Sequence, residues 1–286
     1  MKLVPVNITW KPYDSLDDDQ IDNQIKYAIP TGFATRPNDR EFIFIPTREI
    51  MAYNEYITKM YDMLGDIDEE AEICYEVYWS TLIEGSATPY ERVHAIYCGD
   101  DIQFDNYHGE KIVYGYFSAS RYLQTISGNI NVADVLFMWE LLIGGRCVYE
   151  DIAGIMFSKG DIIVGNRRGF PFPVLKDMVK RWCDYYNSTT FDEYPFIKAC
   201  ILHFTFNSIQ PFIEGNRRLS RLLMCNYLIS RGYDRCRALA FSRAIGKHLS
   251  EYSDAFLISD NSQHDITPFI EYMLDCIYAT LYVNVN

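Results

Sequence analysis

The sequence predicts a mainly α-helical fold that carries one β-hairpin. Three features carry this reading. From Thr47 onward, apolar residues recur at helical spacing. Helix-start and helix-stop residues bracket those segments. One stretch, Gly154 to Pro173, instead alternates apolar and polar residues around Lys159-Gly160-Asp161, as a hairpin does. With 286 residues, 49% of them apolar and 15% aromatic, a large buried core can form. Residues 1 to about 45 are rich in Pro, Asp, Asn and Gly and read as an irregular, partly extended arm with short apolar runs such as Phe42 to Ile45. Thr47 then caps a helix through TREIMAYNEYITKMYDML, with Glu49 in its first turn. A second helix covers about Asp68 to Ile83 and stops near Glu84, where Gly85 supplies the C-cap. Thr88-Pro89-Tyr90-Glu91 reads as a helix start with Thr88 as cap, Pro at the first position and Glu at the third. KIVYGYFSASRYLQTI, Lys111 to Ile126, looks helical in its second half. Asn131 caps ADVLFMWELLIG, which Gly144-Gly145 ends. After the hairpin come VLKDMVKRWCDYYN, YPFIKACILHFTFNSI and RRLSRLLMCNYLISRG, the last stopped by Gly232. SRAIGKHLSEYSDAF and DITPFIEYMLDCIYATL complete the helical series.

Charge and cysteine usage narrow the function classes. The net charge is −13, from 39 acids and 26 bases. Such a surface repels polyanions and anionic bilayers, so no nucleic-acid partner and no membrane association are expected. No apolar run reaches about 18 residues, and MKLVPVNITWKPYDSLDDD lacks the apolar centre of a leader. The eight cysteines show no CxxC spacing, and several sit inside apolar helical patterns. They read as reduced, buried thiols, and a cytoplasmic location is expected.

The chemistry concentrates in IQPFIEGNRRLSR, Ile209 to Arg221. A helix starts at about Arg217, and its first N–H groups lack intrahelical partners and point out along the positive end of the helix dipole. Gly215 lets the chain curl so that successive N–H groups face one point, an anion nest shared with Asn216. Arg218 and Arg221 are three residues apart on one helix face, so both guanidinium forks can reach one anion. Glu214 is placed to hold the divalent cation that a triphosphate brings, since Mg²⁺ takes one or two carboxylates plus phosphate oxygens. The same arginines could instead pair with the protein's own carboxylates. No Walker A sequence, Ser-His-Asp order or metal-ligand spacing is apparent. His203, two turns before Gln210, reads as a packed core residue. His94, His108, His248 and His264 show no link to the loop.

These residues resemble the signature of the Fic (Fido) family, His-Pro-Phe-x-[Asp/Glu]-Gly-Asn-Gly-Arg-x-x-Arg. Pro211, Phe212, Glu214, Gly215, Asn216, Arg218 and Arg221 match it. STLIEG, Ser80 to Gly85, is similar to the family's inhibitory motif, [Ser/Thr]-x-x-x-Glu-[Gly/Asn], and the hairpin sits where the family has its target-binding flap. Weaker similarity runs to about residue 275. The resemblance implies a Fic helical core with a β-hairpin flap, divided into an N-terminal extension (1–65), a region with the inhibitory helix (66–112) and the core (113–286). It also implies transfer of AMP from ATP to a hydroxyl on a target protein. Glu214 would hold Mg²⁺. The backbone at Gly215 and Asn216 and the Arg218 side chain would cradle phosphates, and Arg221 would pair with the γ-phosphate. At rest Glu84 would occupy Arg221, because carboxylate and phosphate compete for one bidentate fork.

Two departures bear on activity. Gln210 stands where the family has its catalytic His. An amide accepts no proton at neutral pH, and loss of a general base costs roughly 10²–10⁴ in rate. Arg217 replaces the second Gly and adds positive charge to the nest; a basic residue there also occurs in the Doc-type branch, which transfers phosphate. Three readings follow: a restrained adenylyltransferase with weak or lost activity, a non-catalytic nucleotide- or phosphate-binding regulator, and an enzyme transferring another group such as phosphate. A protein target is expected at the flap, 156–164, by strand addition, although the hairpin could equally cover the core.

Overall fold

In the computed structural model the residues described are 2–36, 38–99, 107–126, 129–143, 163–164, 167–168 and 172–285. They form twelve α-helices and two small antiparallel strand pairs. The helices are α1 (Asp18–Ile25), α2 (Arg48–Asp62), α3 (Glu69–Leu82), α4 (Tyr90–Cys98), α5 (Tyr107–Leu123), α6 (Val132–Leu142), α7 (Phe172–Asn187), α8 (Pro195–Ile209), α9 (Asn216–Ser230), α10 (Phe241–Lys247), α11 (Leu249–Asn261) and α12 (Thr267–Val285).

The centre is α8. Its apolar residues surround the whole helix rather than one stripe, and every residue from Pro195 to Asn207 is buried, as is Ile209. A helix apolar all round can only be a core helix. It packs against α7, α9 and α12. His203 lies inside it, bonded at 2.8 Å to the Tyr252 hydroxyl and stacked on Phe269. Burial, reinforced by the nearby Arg221 charge, pushes its pKa down to about 3, so it is neutral at physiological pH. Its place is the packed core, as the sequence indicated.

Around this centre, α3 is tied down by two carboxylates, Glu72 buried and Glu76 half-buried. Glu72 forms a two-pronged contact with Arg243, and Glu76 accepts from the backbone N–H and hydroxyl of Ser242 and from Tyr116. Gly246 on α10 lies under the Trp79 indole, where an added Cβ would come within 2.5 Å of the ring. A second close approach joins α5 to α6: a Cβ on Gly115 would sit 2.3 Å from the Leu141 carbonyl oxygen and 2.9 Å from that of Leu142.

Several boundaries differ from the sequence reading, each for a local reason. The N-terminal arm is more ordered than expected. Asp17 and Gln20 make a reciprocal capping box that starts α1, and β1 (Ile29–Pro30) pairs with β2 (Ile43–Phe44). Buried Asp265 accepts bonds from Trp10 and Tyr13 and so fastens the arm to the body. Helix α4 begins one residue later than expected. Pro89 is its N-cap, and the Thr88 hydroxyl pairs with Ser86 instead of capping. Helix α5 begins at Tyr107, well before the second half of the 111–126 segment. SRAIGKHLSEYSDAF is two helices, broken where His248 leaves helical geometry at φ −131, ψ 47. Within the expected hairpin region β3 (Ile163–Val164) pairs antiparallel with β4 (Arg167–Arg168), and the expected turn at Lys159 to Asp161 lies outside the described residues. Residues 156–162 of the expected flap, Gly144-Gly145 and Cys147 fall outside the described residues. Among the described residues no helix is long and apolar enough to cross a membrane.

Two outcomes follow from this packing. Gly115→Ala would force the end of α6 away from α5 and cost about 1–3 kcal/mol, the usual range for overpacking, measurable as a lower urea midpoint at unchanged slope. For His203 the unfolded chain takes up a proton below about 6.5 while the folded chain does not until about 3. Stability therefore falls as pH falls through that window, by up to about 1.4 kcal/mol per pH unit. In His203→Phe, urea titrations at several pH values would show that share of the slope removed.

Candidate functional site

The loop between α8 and α9 is shaped by two left-handed residues. Gln210 ends α8 at φ 45, ψ 61, its N–H still bonded to the Phe206 carbonyl. Non-glycine residues rarely adopt this conformation, and it persists only where neighbours enforce it. Gly215 precedes α9 at φ 79. A Cβ there would meet nothing closer than 3.6 Å, so the positive φ rather than crowding favours glycine. Between them Phe212 is fully buried and stacked on Trp139 of α6, centroids 4.7 Å apart and rings 10° from parallel. Asn216 closes the loop on itself: its side-chain oxygen accepts from the Phe212 N–H, and its amide donates to the Phe212 carbonyl. The Trp139 indole N–H donates to the Glu214 carbonyl at 2.8 Å. These bonds turn the loop's carbonyls inward and leave the start of α9 with no side-chain cap. Its first N–H groups are then the unsatisfied donors that an anion fits.

The charged side chains divide around this helix start. Arg218 is only 4% exposed. Among the described residues its one hydrogen bond is a long one, 3.4 Å from Nη1 to the Leu142 carbonyl, and its Nε has no partner. Burial lowers its pKa from the usual guanidinium value, with Glu84 and Glu214 working the other way from a distance. Arg221 is also buried, and two of its three nitrogens are occupied while Nη1 has no partner among the described residues. Its Nε donates to the Ser80 hydroxyl at 2.9 Å, and Nη2 donates to the Ser80 carbonyl at 2.8 Å and to Glu84 Oε1 at 3.3 Å. Burial opposes its charge, but nearby acidic groups, Glu84 foremost, outweigh this and hold its pKa above the usual value. The expected bidentate grip of Glu84 is thus not what forms. Ser80 takes most of the fork and Glu84 supplies one oxygen, because Ser80 lies within the last turns of α3 while Glu84 lies beyond its end.

Gln210 and Arg217 face a separate cavity of about 180 Å³, walled by Asn207, Tyr252 and Phe256. Glu214 is exposed at the loop tip, and its carboxylate makes no ion pair or hydrogen bond among the described residues. The sequence-derived site residues therefore gather around one helix start, with Ser80 and Glu84 arriving from α3 through Arg221. Arg218 and Arg221 do not share an anion in this arrangement, since Arg221 is turned to α3. Sequence reasoning missed Trp139 and the Leu142 carbonyl. Nothing in the apolar run of α6 marks either one; only the fold brings them to the loop.

The loop lies within a stretch that resembles known proteins. The family model described as the Fic/DOC family matches residues 165–228. A protein adenylyltransferase Fic from Drosophila melanogaster is 27% identical over 157 residues, covering 54% of this chain and 29% of that protein. The Drosophila yakuba counterpart is 30% identical over 157 residues with the same coverage. The chain thus spans less than a third of the length of these relatives. A Fic family protein from Desulfovibrio desulfuricans superposes with a TM-score of 0.71 at 20% identity, over 83% of this chain and 74% of that one. Fic-1 (residues 134–508) from C. elegans gives 0.67 at 19% identity, over 83% and 71%. At these identities the structural likeness is one of fold.

The loop's reliance on Asn216 is open to test. Asn216→Ala removes both side-chain bonds to the buried Phe212 backbone, at a cost of about 1–3 kcal/mol. Amide exchange should speed up at residues 212–217 while the α8 core stays protected.

Proposed function

We propose that this chain, which belongs to the Fic/DOC family, binds ATP with Mg²⁺ at the start of α9 and is held at rest by Ser80 and Glu84. The observation that carries this reading is Arg218: a buried guanidinium with an unpartnered Nε and no carboxylate bonded to it, beside an uncapped helix N-terminus. Leaving such a group unneutralised is costly, and a phosphate oxygen supplies what it lacks. The Drosophila relatives are named protein adenylyltransferases, which is consistent with AMP transfer as the ancestral reaction.

In this reading the first N–H groups of α9 and Arg218 bind the phosphate chain. Trp139 and Asn216 hold the loop in shape, and the Gln210–Arg217 cavity lies alongside. The exposed, unpaired Glu214 carboxylate suits Mg²⁺, a hard cation that keeps several waters and binds through one carboxylate plus phosphate oxygens. The ion would neutralise phosphate charge when bound. For AMP transfer, a target hydroxyl would attack the α-phosphorus and pyrophosphate would leave. The hydroxyl proton then needs an acceptor, and Gln210 can orient the group but not take the proton. Transfer by this chain is therefore weak or lost. Arg217 at the nest keeps phosphate transfer as a second possibility, and the missing base at Gln210 favours a binding role above both. A protein target would meet the flap, 156–164, by strand addition.

Calorimetric titration of ATP·Mg²⁺ into wild type and Glu84→Gly tests the restraint. The variant should bind at least about tenfold tighter, since Arg221 loses its carboxylate partner and keeps only the neutral Ser80 acceptors; equal affinity would refute the role of Glu84. Incubation of Glu84→Gly and Glu84→Gly/Gln210→His with ATP labelled at the α- or γ-phosphate then separates the readings. Label from the α position only after His is restored identifies Gln210 as the lesion. Label from the γ position means phosphate transfer, and none in either protein means a binding module.

A further inference from the structure

Away from the nucleotide loop, three chemically unlike donors meet where α3 and α4 join. Glu70 lies in the first turn of α3; His94 and Cys98 are four residues apart on α4 and so share a face. His94 Nε2 is 2.8 Å from Glu70 Oε1, while Cys98 Sγ is 4.0 Å from that Nε2, 3.7 Å from His94 Nδ1 and 4.0 Å from Glu70 Oε1. A donor atom from each residue lies within 4.8 Å of the other two. We propose that Glu70, His94 and Cys98 form a binding site for a divalent transition-metal ion of the zinc class.

The distances suit such an ion. Bonds of about 2.0–2.3 Å at tetrahedral angles require donors roughly 3.3–3.6 Å apart, so each pair lies close to its bound separation. The donor set selects the metal. A thiolate with an imidazole is a soft-to-borderline pair that favours Zn²⁺ and its neighbours over Mg²⁺ or Ca²⁺, which prefer oxygen alone. Three protein ligands leave the fourth position to water. The frame is fixed before any ion arrives: Tyr75 of α3 stacks on Tyr90 of α4 at 4.5 Å, and Cys74, Val93 and Ile96 are buried between the helices. Cys98 is exposed, and binding releases its thiol proton to solvent. The net charge of −13 also draws cations to the surface. Sequence reasoning saw no metal spacing here, because Glu70 is 24 residues from His94 and only the α3–α4 turn unites them. The ion would pin the start of the helix that presents Ser80, about 15 Å further along its axis. The inference does not depend on what the α9 loop binds.

The test is titration of the reduced full chain with Co²⁺, followed by displacement with Zn²⁺. One equivalent should produce a thiolate-to-cobalt charge-transfer band and the intense visible bands of tetrahedral cobalt. Zn²⁺ should abolish them. Cys98→Ser should remove the charge-transfer band, and His94→Gln should weaken binding at least about tenfold, the lower end of what even an outer-shell change costs. Cys74→Ser should leave the spectrum intact, which separates this site from binding to another thiol. Absence of the charge-transfer band in wild type, or its persistence in Cys98→Ser, would overturn the proposal.

Discussion

A guanidinium buried in a protein needs partners where it sits, and Arg221 has found them on α3. Desolvation works against its charge, and the Ser80 hydroxyl, the Ser80 carbonyl and one Glu84 oxygen supply the compensation. This contact joins two parts of the chain about 140 residues apart. It also sets the position of α3, which Glu72 and Glu76 fasten to the far side of the core through Ala240, Ser242 and Arg243. In the proposed function the same contact is the restraint: with Nε and Nη2 held by Ser80 and Glu84, only Nη1 of Arg221 is left without a partner among the described residues, and the fork cannot grip a phosphate with two prongs. Ser80 contributes more of that satisfaction than Glu84, so the hydroxyl is as much a part of it as the acid.

Arg218 is the complementary case. It is nearly as buried, yet it has one weak carbonyl partner and an orphaned Nε. The loop beside it spends its own polar groups on shape, with Asn216 bonded twice to Phe212 and the Glu214 carbonyl taken by Trp139. What remains unsatisfied there is the first turn of α9, Arg218 Nε and Arg221 Nη1, all of which attract negative charge. Gly115 contributes indirectly, because it lets α5 approach the end of α6, where the Leu142 carbonyl meets Arg218.

Much of this was legible in the sequence where local rules act alone. Thr47, Asp68 and Asn131 each cap the helix that their spacing announced, and the loop from Gln210 to Arg221 curls where Gly215 permits it. Local signals were also overlooked: Asp17 and Gln20 form a capping box that a D-x-x-Q pattern could have revealed. Other features are tertiary and leave no local trace. The break at His248 interrupts a segment whose apolar period continues, and the pairing of Ile163–Val164 with Arg167–Arg168 was not foreseen because alternation locates a strand but not its partner. Trp139, the Leu142 carbonyl and the Glu70–His94–Cys98 cluster depend on how helices meet, which no single segment encodes.

The central claim is that the start of α9 together with Arg218 forms a seat for a polyphosphate. Its most direct test is the affinity of ATP·Mg²⁺ for Glu84→Gly compared with Glu84→Gly/Arg218→Gln, measured by calorimetry at fixed ionic strength. Removing one buried, charge-assisted contact should weaken binding at least about tenfold while the melting temperature shows the protein still folded. Equal affinities in two folded proteins would contradict the claim.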